Sequence, residues 1–305
     1  MDSSALTSLI KQKALEIGFS DCGISSVETL DFESVKLNNW LQNGFQGEMH
    51  YMENHFEKRI NPNLLFENAK SVISVLFNYY KQDLNDNNEK YKIAKYAQGN
   101  DYHYIIKSKL NELINFIQTI YPIATARSFC DSAPVMDKVW AQKSGLGWLG
   151  KNTCLIAPKA GSFFFIGEII TDIELNYDKA INNRCGNCTK CIDACPTIAL
   201  VAPYQLDSRK CISYLTIEYK NEFDEKIDLN GHIFGCDICQ DVCPWNIKYA
   251  KVHNNKELIS SSKDVDWDNI NKTDFKKTFK GTALERTGYE RLKRNIDANY
   301  NSTKQ

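Results

Sequence analysis

Apolar residues recur at two periods along this chain, and each change of period marks a new element. Near the N-terminus Leu6, Leu9, Ile10, Ala14 and Ile17 repeat at helical spacing, and Gly18 stops the run. That pattern predicts an amphipathic first helix. "SVISVLF" (71–77) reads as a buried strand, and "IATARSF" (123–129) and "SFFFIGEII" (162–170) read as two more. Between them the helical period returns from Tyr102 to Tyr121, with Ile106, Leu110, Leu113, Ile114 and Ile117 on one face. The polar stretch "KQDLNDNNEK" (81–90) reads as a surface loop. The alternation predicts an α+β fold whose N-terminal part, 1–178, is an α/β-type domain with helices packed on a sheet.

Length and composition narrow the class. The chain has 305 residues, 43% hydrophobic and 25% charged, which fits a soluble globular protein of two domains, or of one large domain with an insert, with a sizeable core. Its formal net charge of -1 excludes a global pull toward nucleic acid or membrane, so any such contact must be a local patch. "MDSSALTSLIKQKALEIGF" has no basic leader followed by an apolar run, so no secretory signal is expected. The most apolar segment, "FFFIGEII", is broken by Glu168, so no membrane span is expected and the protein is read as cytoplasmic. Eleven cysteines in that setting point to reduced thiols acting as metal ligands. Cys22, Cys130 and Cys154 are scattered, whereas the other eight fall between Cys185 and Cys243. Residues 179–250 therefore form a second unit, and the polar residues 251–305, with few core signals, read as a basic C-terminal tail.

The run Cys185-x2-Cys188-x2-Cys191-x3-Cys195-Pro196 has bacterial ferredoxin spacing. In that pattern three thiolates hold one [4Fe–4S] cube and the fourth, before the proline, reaches to another. The second cube is supplied by Cys236, Cys239 and Cys243, again closed by Pro244, with Cys211 as the eighth thiol. By the crossing rule Cys243 joins Cys185, Cys188 and Cys191, while Cys195 joins Cys211, Cys236 and Cys239. Paired zinc sites are the competing reading of C-x2-C. The tight third cysteine, the two Cys-Pro closures and the closed count of eight favour iron–sulfur. The C-x3-C-x2-C spacing of radical enzymes is absent, so the clusters read as electron wires.

Two stretches outside the cysteines carry candidate chemistry. "GLGWLG" (145–150) matches a dinucleotide fingerprint, but a helix-like stretch precedes it and a strand-like stretch follows it, the reverse of the required order. A tight turn is the plain reading. Asp131, in "SFCDSAPVMDK", sits between a predicted strand and a predicted helix. It is either a helix cap or, beside an apolar cofactor, a proton donor with a raised pKa.

"DSAPVMDKVWAQKSGLGWLGKNTCLI", "GSFFFIGEII", "CGNCTKCIDACPTIAL", "RKCISYLTIEYK" and "GCDICQDVCPWN" resemble the epoxyqueuosine reductases, which complete queuosine at the tRNA wobble position. The similarity runs back through "GEMHYMENHFEKRINP" and "YAQGNDYH" and on to about Asn295. The resemblance implies an N-terminal domain that binds a corrinoid, cob(II)alamin, and kinship with reductive dehalogenases. It implies base-off binding without a protein histidine, in keeping with the absent D-x-H-x-x-G motif: after Asp101 and His103, Ile106 stands where glycine would be. Carried over as corrinoid contacts are Arg59, Asp131, the run Gly145, Leu146, Gly147, Trp148, Leu149, Gly150, Lys151 and Asn152, and Ser213. Asp131 matches the proposed proton donor, and Tyr102 and His103 match a stretch near the pocket. The clusters would reduce the cobalt to Co(I), and epoxide would become alkene with two electrons, two protons and loss of water. A plain two-cluster electron carrier would leave residues 1–178 without a role. A reductive dehalogenase would usually carry a twin-arginine signal, which "MDSSALTS" lacks.

Longer members of that family continue into a helical-repeat domain that helps grip tRNA, while this sequence ends at Gln305. Residues 271–305 carry nine Lys or Arg against four Asp or Glu. They read either as a solvated helix face or as a phosphate-binding surface for the anticodon stem-loop, through Lys276, Lys277, Arg291, Lys293 and Arg294. Arg184, Lys190 and Lys210 are nearby basic candidates. A monomer is expected, without a membrane partner, fed by an electron donor such as flavodoxin or ferredoxin.

Overall fold

A computed structural model describes residues 2–81, 90–223, 227–259 and 265–302. Most of the polar loop read at 81–90 lies outside the described residues. The first helix, Ser3–Ile17, is fixed at both ends: Asp2 accepts from the Ala5 amide at 2.7 Å, and Gly18 closes it with φ 107°. Its buried face is Leu6, Ile10, Ala14 and Ile17, as the period predicts, with Thr7 added and the predicted Leu9 only partly buried. A second long helix, Tyr102–Ile120, is capped by Asp101 and buries Ile106, Leu110, Leu113, Ile114 and Ile117.

Both helices lie on one antiparallel sheet of four strands. These are β1 (Asp21–Ser26), β2 (Ser71–Asn78), β3 (Ala126–Phe129) and β4 (Phe164–Thr171). Their order is β1-β2-β4-β3, with Ser71 opposite Thr171 and Asn78 opposite Phe164. β2 is buried over its first seven residues, because the sheet is covered on both sides. Ile73, Val75, Phe77, Phe165 and Ile169 face the two helices. Val72, Leu76 and Ile170 face a third, shorter helix, Asp137–Lys143, through Trp140 and Ala141. β3 starts three residues later than the sequence pattern suggests, because residues 121–124 turn, with the Ala124 amide donating to the Tyr121 carbonyl at 3.0 Å.

The cysteine-rich unit has little regular structure. Two four-residue helices, Lys190–Asp193 and Ile238–Asp241, pack against each other, each within a cysteine loop. The helix Ile212–Ile217 begins directly after Cys211.

Residues 251–305 depart from the reading of a tail with few core signals. Ile270, Phe275, Phe279, Ala283, Leu284, Leu292 and Ile296 are buried together with Tyr91, Ala97, Ile233 and Phe234. Burial of each large side chain contributes about 1.5–3 kcal/mol. The segment therefore packs onto both earlier regions, with helices Lys272–Thr278 and Tyr289–Ser302. The low mean hydropathy of the last helix hid one narrow apolar stripe. Among the described residues no helix is long and apolar enough to cross a membrane.

Candidate functional site

The site starts where β3 ends. Cys130 is buried, and Asp131 turns the chain with φ 57°, a region that non-glycine residues enter sparsely and Asp tolerates better than most. Asp131 is therefore not a helix cap: the Asp137–Lys143 helix begins after Met136, without a side-chain cap. Instead its carboxylate meets the N-terminus of the Tyr102–Ile120 helix. Tyr102 donates its hydroxyl to Asp131 Oδ2 at 2.6 Å, and His103 Nε2 lies 3.1 Å from the same oxygen. His103 Nδ1 lies 2.7 Å from Asp101 Oδ1. Arg286, from the C-terminal segment, donates to Asp101 Oδ2 through Nε at 2.9 Å and lies 3.3 Å from His103 Nε2 through Nη1.

Charges within this network follow from its geometry. Both ring nitrogens of His103 face carboxylate oxygens, so the imidazolium satisfies both. Burial opposes that charge, but Asp101 and Asp131 outweigh it and the His103 pKa is raised above 6.5. Burial likewise pushes Asp131 up, yet hydrogen bonds from His103 and Tyr102 and the charges of His103 and Arg286 hold its carboxyl below the ordinary 3.8. The raised pKa expected of a carboxyl beside an apolar cofactor is not found in this state. Both shifts favour an imidazolium on His103 beside an ionised Asp131. Burial, then the Asp131 charge, keep Tyr102 protonated as a donor, and its ring stacks on Phe165 at 4.0 Å. Asp131 Oδ1 makes no hydrogen bond among the described residues, and the side chain is 60% exposed.

Behind Asp131 lies a set of buried polar atoms without partners. They are both carboxyl oxygens of Glu168, Oδ1 of Asp137, Ser74 Oγ and Arg59 Nε; the orphan indole N–H of Trp148 lies apart from them, in a side chain packed with Cys185, Cys243 and Trp245. Glu168 sits opposite Ser74 in the sheet and is fully buried. Burial pushes the Asp137 pKa up to about 6, against a hydrogen bond with Glu168 that lowers it and with the Asp131 charge adding to the rise; burial raises Glu168, reinforced by Asp137 and Asp131. Raised pKa values favour the protonated form of both carboxyls, and their unpaired oxygens leave donor and acceptor positions for a ligand. A corrinoid bears many amide groups, and this mixed array of acceptors and donors fits one. Glu168 appeared in the sequence only as a break in an apolar run. A charge inside a buried strand was the signal that could have found it.

The "GLGWLG" glycines serve close approach within a small hairpin, Trp148–Leu149 with Leu155–Ile156. A Cβ on Gly147 would lie 2.5 Å from the Ile156 carbonyl oxygen. The hairpin ties the sheet domain to the cysteine loops. Lys151 Nζ donates to the carbonyls of Gly186 at 2.7 Å and Cys188 at 2.9 Å, and Asn152 donates to that of Cys239 at 3.3 Å. Trp148 meets Trp245 edge-on at 4.8 Å.

The eight thiols fall into two sets. Cys185, Cys188, Cys191 and Cys243 line one cavity of about 160 Å³, with Lys151, Arg184, Pro244 and Trp245. Burial, then the charges of Cys243 and Cys185, push Cys191 up to about 11. Cys195, Cys211, Cys236 and Cys239 are the second set: burial raises Cys236 to about 12, reinforced by Cys211 and Cys195. Four converging thiols fit a [4Fe–4S] cube in each place. Cys154, scattered in the sequence, faces Cys239 here. Ser213 follows Cys211 and donates its backbone N–H to that thiol.

The C-terminal cations divide. Lys276 and Lys277 are exposed. Lys293 pairs with Asp297 at 2.7 Å, and Arg291 donates to the Ile217 carbonyl at 2.6 Å. Arg294 is buried and donates to the carbonyls of Leu215 at 2.8 Å, Tyr219 at 3.0 Å and Asn221. A guanidinium so committed is a packing group, which corrects its reading as a phosphate contact.

Residues 59–132 match the family described as "Epoxyqueuosine reductase QueG, DUF1730", and residues 184–246 match the "4Fe-4S double cluster binding domain". The epoxyqueuosine reductase of Cellulophaga algicola is 50% identical over 297 residues, covering 95% of this chain and 96% of that protein. A crystal structure of epoxyqueuosine reductase with an epoxyqueuosine-modified tRNA-Tyr stem loop superposes with TM-score 0.89 at 28% identity, over 97% of this chain and 80% of that one. The catabolic reductive dehalogenase NpRdhA shares the fold alone, with TM-score 0.51 at 17% identity over 82% of this chain and 33% of its own. With a relative this similar over nearly its whole length, the chain belongs to the epoxyqueuosine reductase family.

Proposed function

We propose that this chain reduces epoxyqueuosine to queuosine at the wobble position of tRNA, with Asp131 handing the proton to the departing oxygen. The carrying observation is the single oxygen Asp131 Oδ2, held by both Tyr102 and His103 while Oδ1 stays open. An electron carrier has no use for such a network.

The balance sets what the residues must do. Two C–O bonds break, one C=C bond forms, and the oxygen leaves as water, so each turnover takes two electrons and two protons. When bound, the corrinoid supplies a strongly reducing, nucleophilic metal centre, and two [4Fe–4S] clusters feed it single electrons. Arg59, Asp137, Glu168, Trp148 and Ser213 would hold the corrinoid, and the two thiol sets would hold the clusters. As negative charge develops on the epoxide oxygen, Asp131 delivers a proton drawn from His103 Nε2 to give a hydroxyl, and a second proton by the same route lets that hydroxyl leave as water when the second C–O bond breaks. Asp101 keeps the ring in place for reprotonation. Tyr102 fixes the carboxylate against Phe165.

The substrate tRNA is held by phosphate contacts that set position without reading sequence. The electron donor is a low-potential carrier of the flavodoxin or ferredoxin kind. Eleven cysteines, all free, suit a reducing cytoplasm, and the chain works as a monomer. Anaerobic incubation of epoxyqueuosine-tRNA with the reconstituted protein, added cobalamin and dithionite, followed by nucleoside analysis, tests the reading. Queuosine is the expected product. Unchanged tRNA together with turnover of an organohalide would replace it with the dehalogenase reading.

A further inference from the structure

We infer that the surface around Arg184, Lys190 and Lys248 is the docking face for a small acidic one-electron carrier protein. The inference rests on the chain being a reductase fed through two [4Fe–4S] clusters. It assigns the point of entry.

The two thiol sets differ in what lies beside them. Cys211 of the inner set opens the helix that leads to Glu218, whose carboxyl feels the charge of Asp131 and faces Tyr51. That set therefore lies on the catalytic side. The outer set lines a cavity shared with Arg184 and Trp245. Substrate tRNA must cover the face where Asp131 is exposed. A donor that binds during turnover therefore needs a different face, and the outer set provides one.

The chemistry of that face is predominantly basic. Segments 184–190 and 244–251 carry four cations, Arg184, Lys190, Lys248 and Lys251, and no acid. This is a local excess on a chain of net charge -1. Arg184, Lys190 and Lys248 are exposed, and among the described residues none of them forms an ion pair. Lys190 opens the short helix that carries Cys191. Lys248 Nζ sits 5.2 Å from the Tyr249 ring, which stacks on Trp245 of the cavity wall at 5.4 Å. Of the two acids nearest in sequence, Asp241 pairs with Lys95 at 2.9 Å and Asp193, exposed, accepts from Thr189 at 2.8 Å, so the local excess stays positive. Among the cations stands Ile247, 71% exposed. An apolar centre with a charged rim is the anatomy of a protein contact. Its sign selects an acidic partner and speeds encounter rather than tightening the complex.

The test is the double charge reversal Lys190→Glu with Lys248→Glu in the full, cluster-loaded chain. Binding and electron transfer are measured with reduced flavodoxin at low and high salt, beside turnover driven by dithionite. Wild type should bind flavodoxin more weakly as salt rises. The variant should lose about tenfold or more of the flavodoxin-driven rate at low salt, within the range of electrostatic steering. Its dithionite-driven turnover, iron content and tRNA affinity should stay unchanged. Unaltered flavodoxin binding and rate would overturn the proposal, as would a loss of tRNA affinity, which would give the face to the nucleic acid. A wild-type chain inactive with dithionite would remove the reductase reading instead, and flavodoxin binding would still decide the docking face.

Discussion

The thiol region and the carboxylate site are built on opposite plans. All eight thiols come from one stretch, 185–243, and local backbone holds them: the Cys188 amide donates to the Cys185 carbonyl at 3.1 Å, and the Ala199 amide reaches Cys195 Sγ at 3.3 Å. The carboxylate site draws Asp101, Tyr102, His103, Asp131 and Arg286 from three distant segments and joins them through shared atoms. Asp131 Oδ2 serves two partners, and Asp101 serves His103 and Arg286. The first plan confines damage to one set. The second spreads it, because groups in one hydrogen-bonded network are coupled.

The sharpest way to break this contrast is Asp131→Asn. Asparagine tolerates φ 57° and keeps most of the shape, so folding should survive. Turnover should fall by about 10²–10⁴, the usual scale of a lost proton-transfer group. Iron and corrinoid content should hold. A near-normal rate would move the proton delivery elsewhere. Next in size is Cys195→Ala. Bound iron should drop from about eight to about four per chain, by the four-iron cube. The surviving cube should be that of Cys243 and the alanine's own sequence neighbours Cys185, Cys188 and Cys191. If that cube vanishes instead, the thiol region is not divided as its geometry indicates.

The same contrast explains what the sequence discloses. Ferredoxin spacing is legible because ligands a few residues apart must converge on one small object. Helical and strand periods are legible because each face packs against one neighbour. The carboxylate site is legible only in part. Asp131, Tyr102 and His103 came through family resemblance, and Asp101 surfaced merely as a piece of a failed motif. Nothing near Arg286 marks it, since its partner lies 185 residues away. The C-terminal core escaped because its buried side chains are spaced among lysines and arginines. Arg294 looked like surface charge for the same reason, although its partners are backbone carbonyls that no sequence pattern displays.

A smaller effect tests the coupling through pH. The His103 pKa is raised on folding, so its contribution to stability is complete below the unfolded value of 6.5 and is lost as pH climbs through the raised folded value. Asp101 and Asp131 are lowered, so their contribution is present above the ordinary 3.8 and is lost as pH falls through the folded values. Between these limits His103→Gln should cost about 1–2 kcal/mol, mostly through buried Asp101, with little from exposed Asp131. Urea unfolding at about pH 5.5 and about pH 8.5 checks it, since the gap to wild type should shrink at the higher pH. A gap independent of pH would show that His103 is held by packing alone.

The smallest effect concerns the cations of the C-terminal segment, which repeat the contrast in miniature. Lys276 and Lys277 stand exposed on the helix Lys272–Thr278, whereas Arg294 is wired into three carbonyls. Replacing Lys276 and Lys277 by Gln should weaken tRNA binding modestly and reduce the slope of log affinity against log salt by roughly 0.7–0.9 per phosphate contact removed. Folding should be untouched, because both side chains are exposed and among the described residues neither forms an ion pair or hydrogen bond. Arg294→Gln should do the reverse. Buried carbonyls left without a donor cost about 1–3 kcal/mol of stability, while the salt slope of the folded fraction stays at the wild-type value. The measurement is filter binding or anisotropy with an anticodon stem-loop across a salt series, paired with thermal unfolding of each variant. A flattened slope in Arg294→Gln with unchanged stability would put that guanidinium on the RNA and undo the division. An unchanged slope in the double lysine variant would leave this face to solvent and send the search for tRNA contacts to the rim of the carboxylate site.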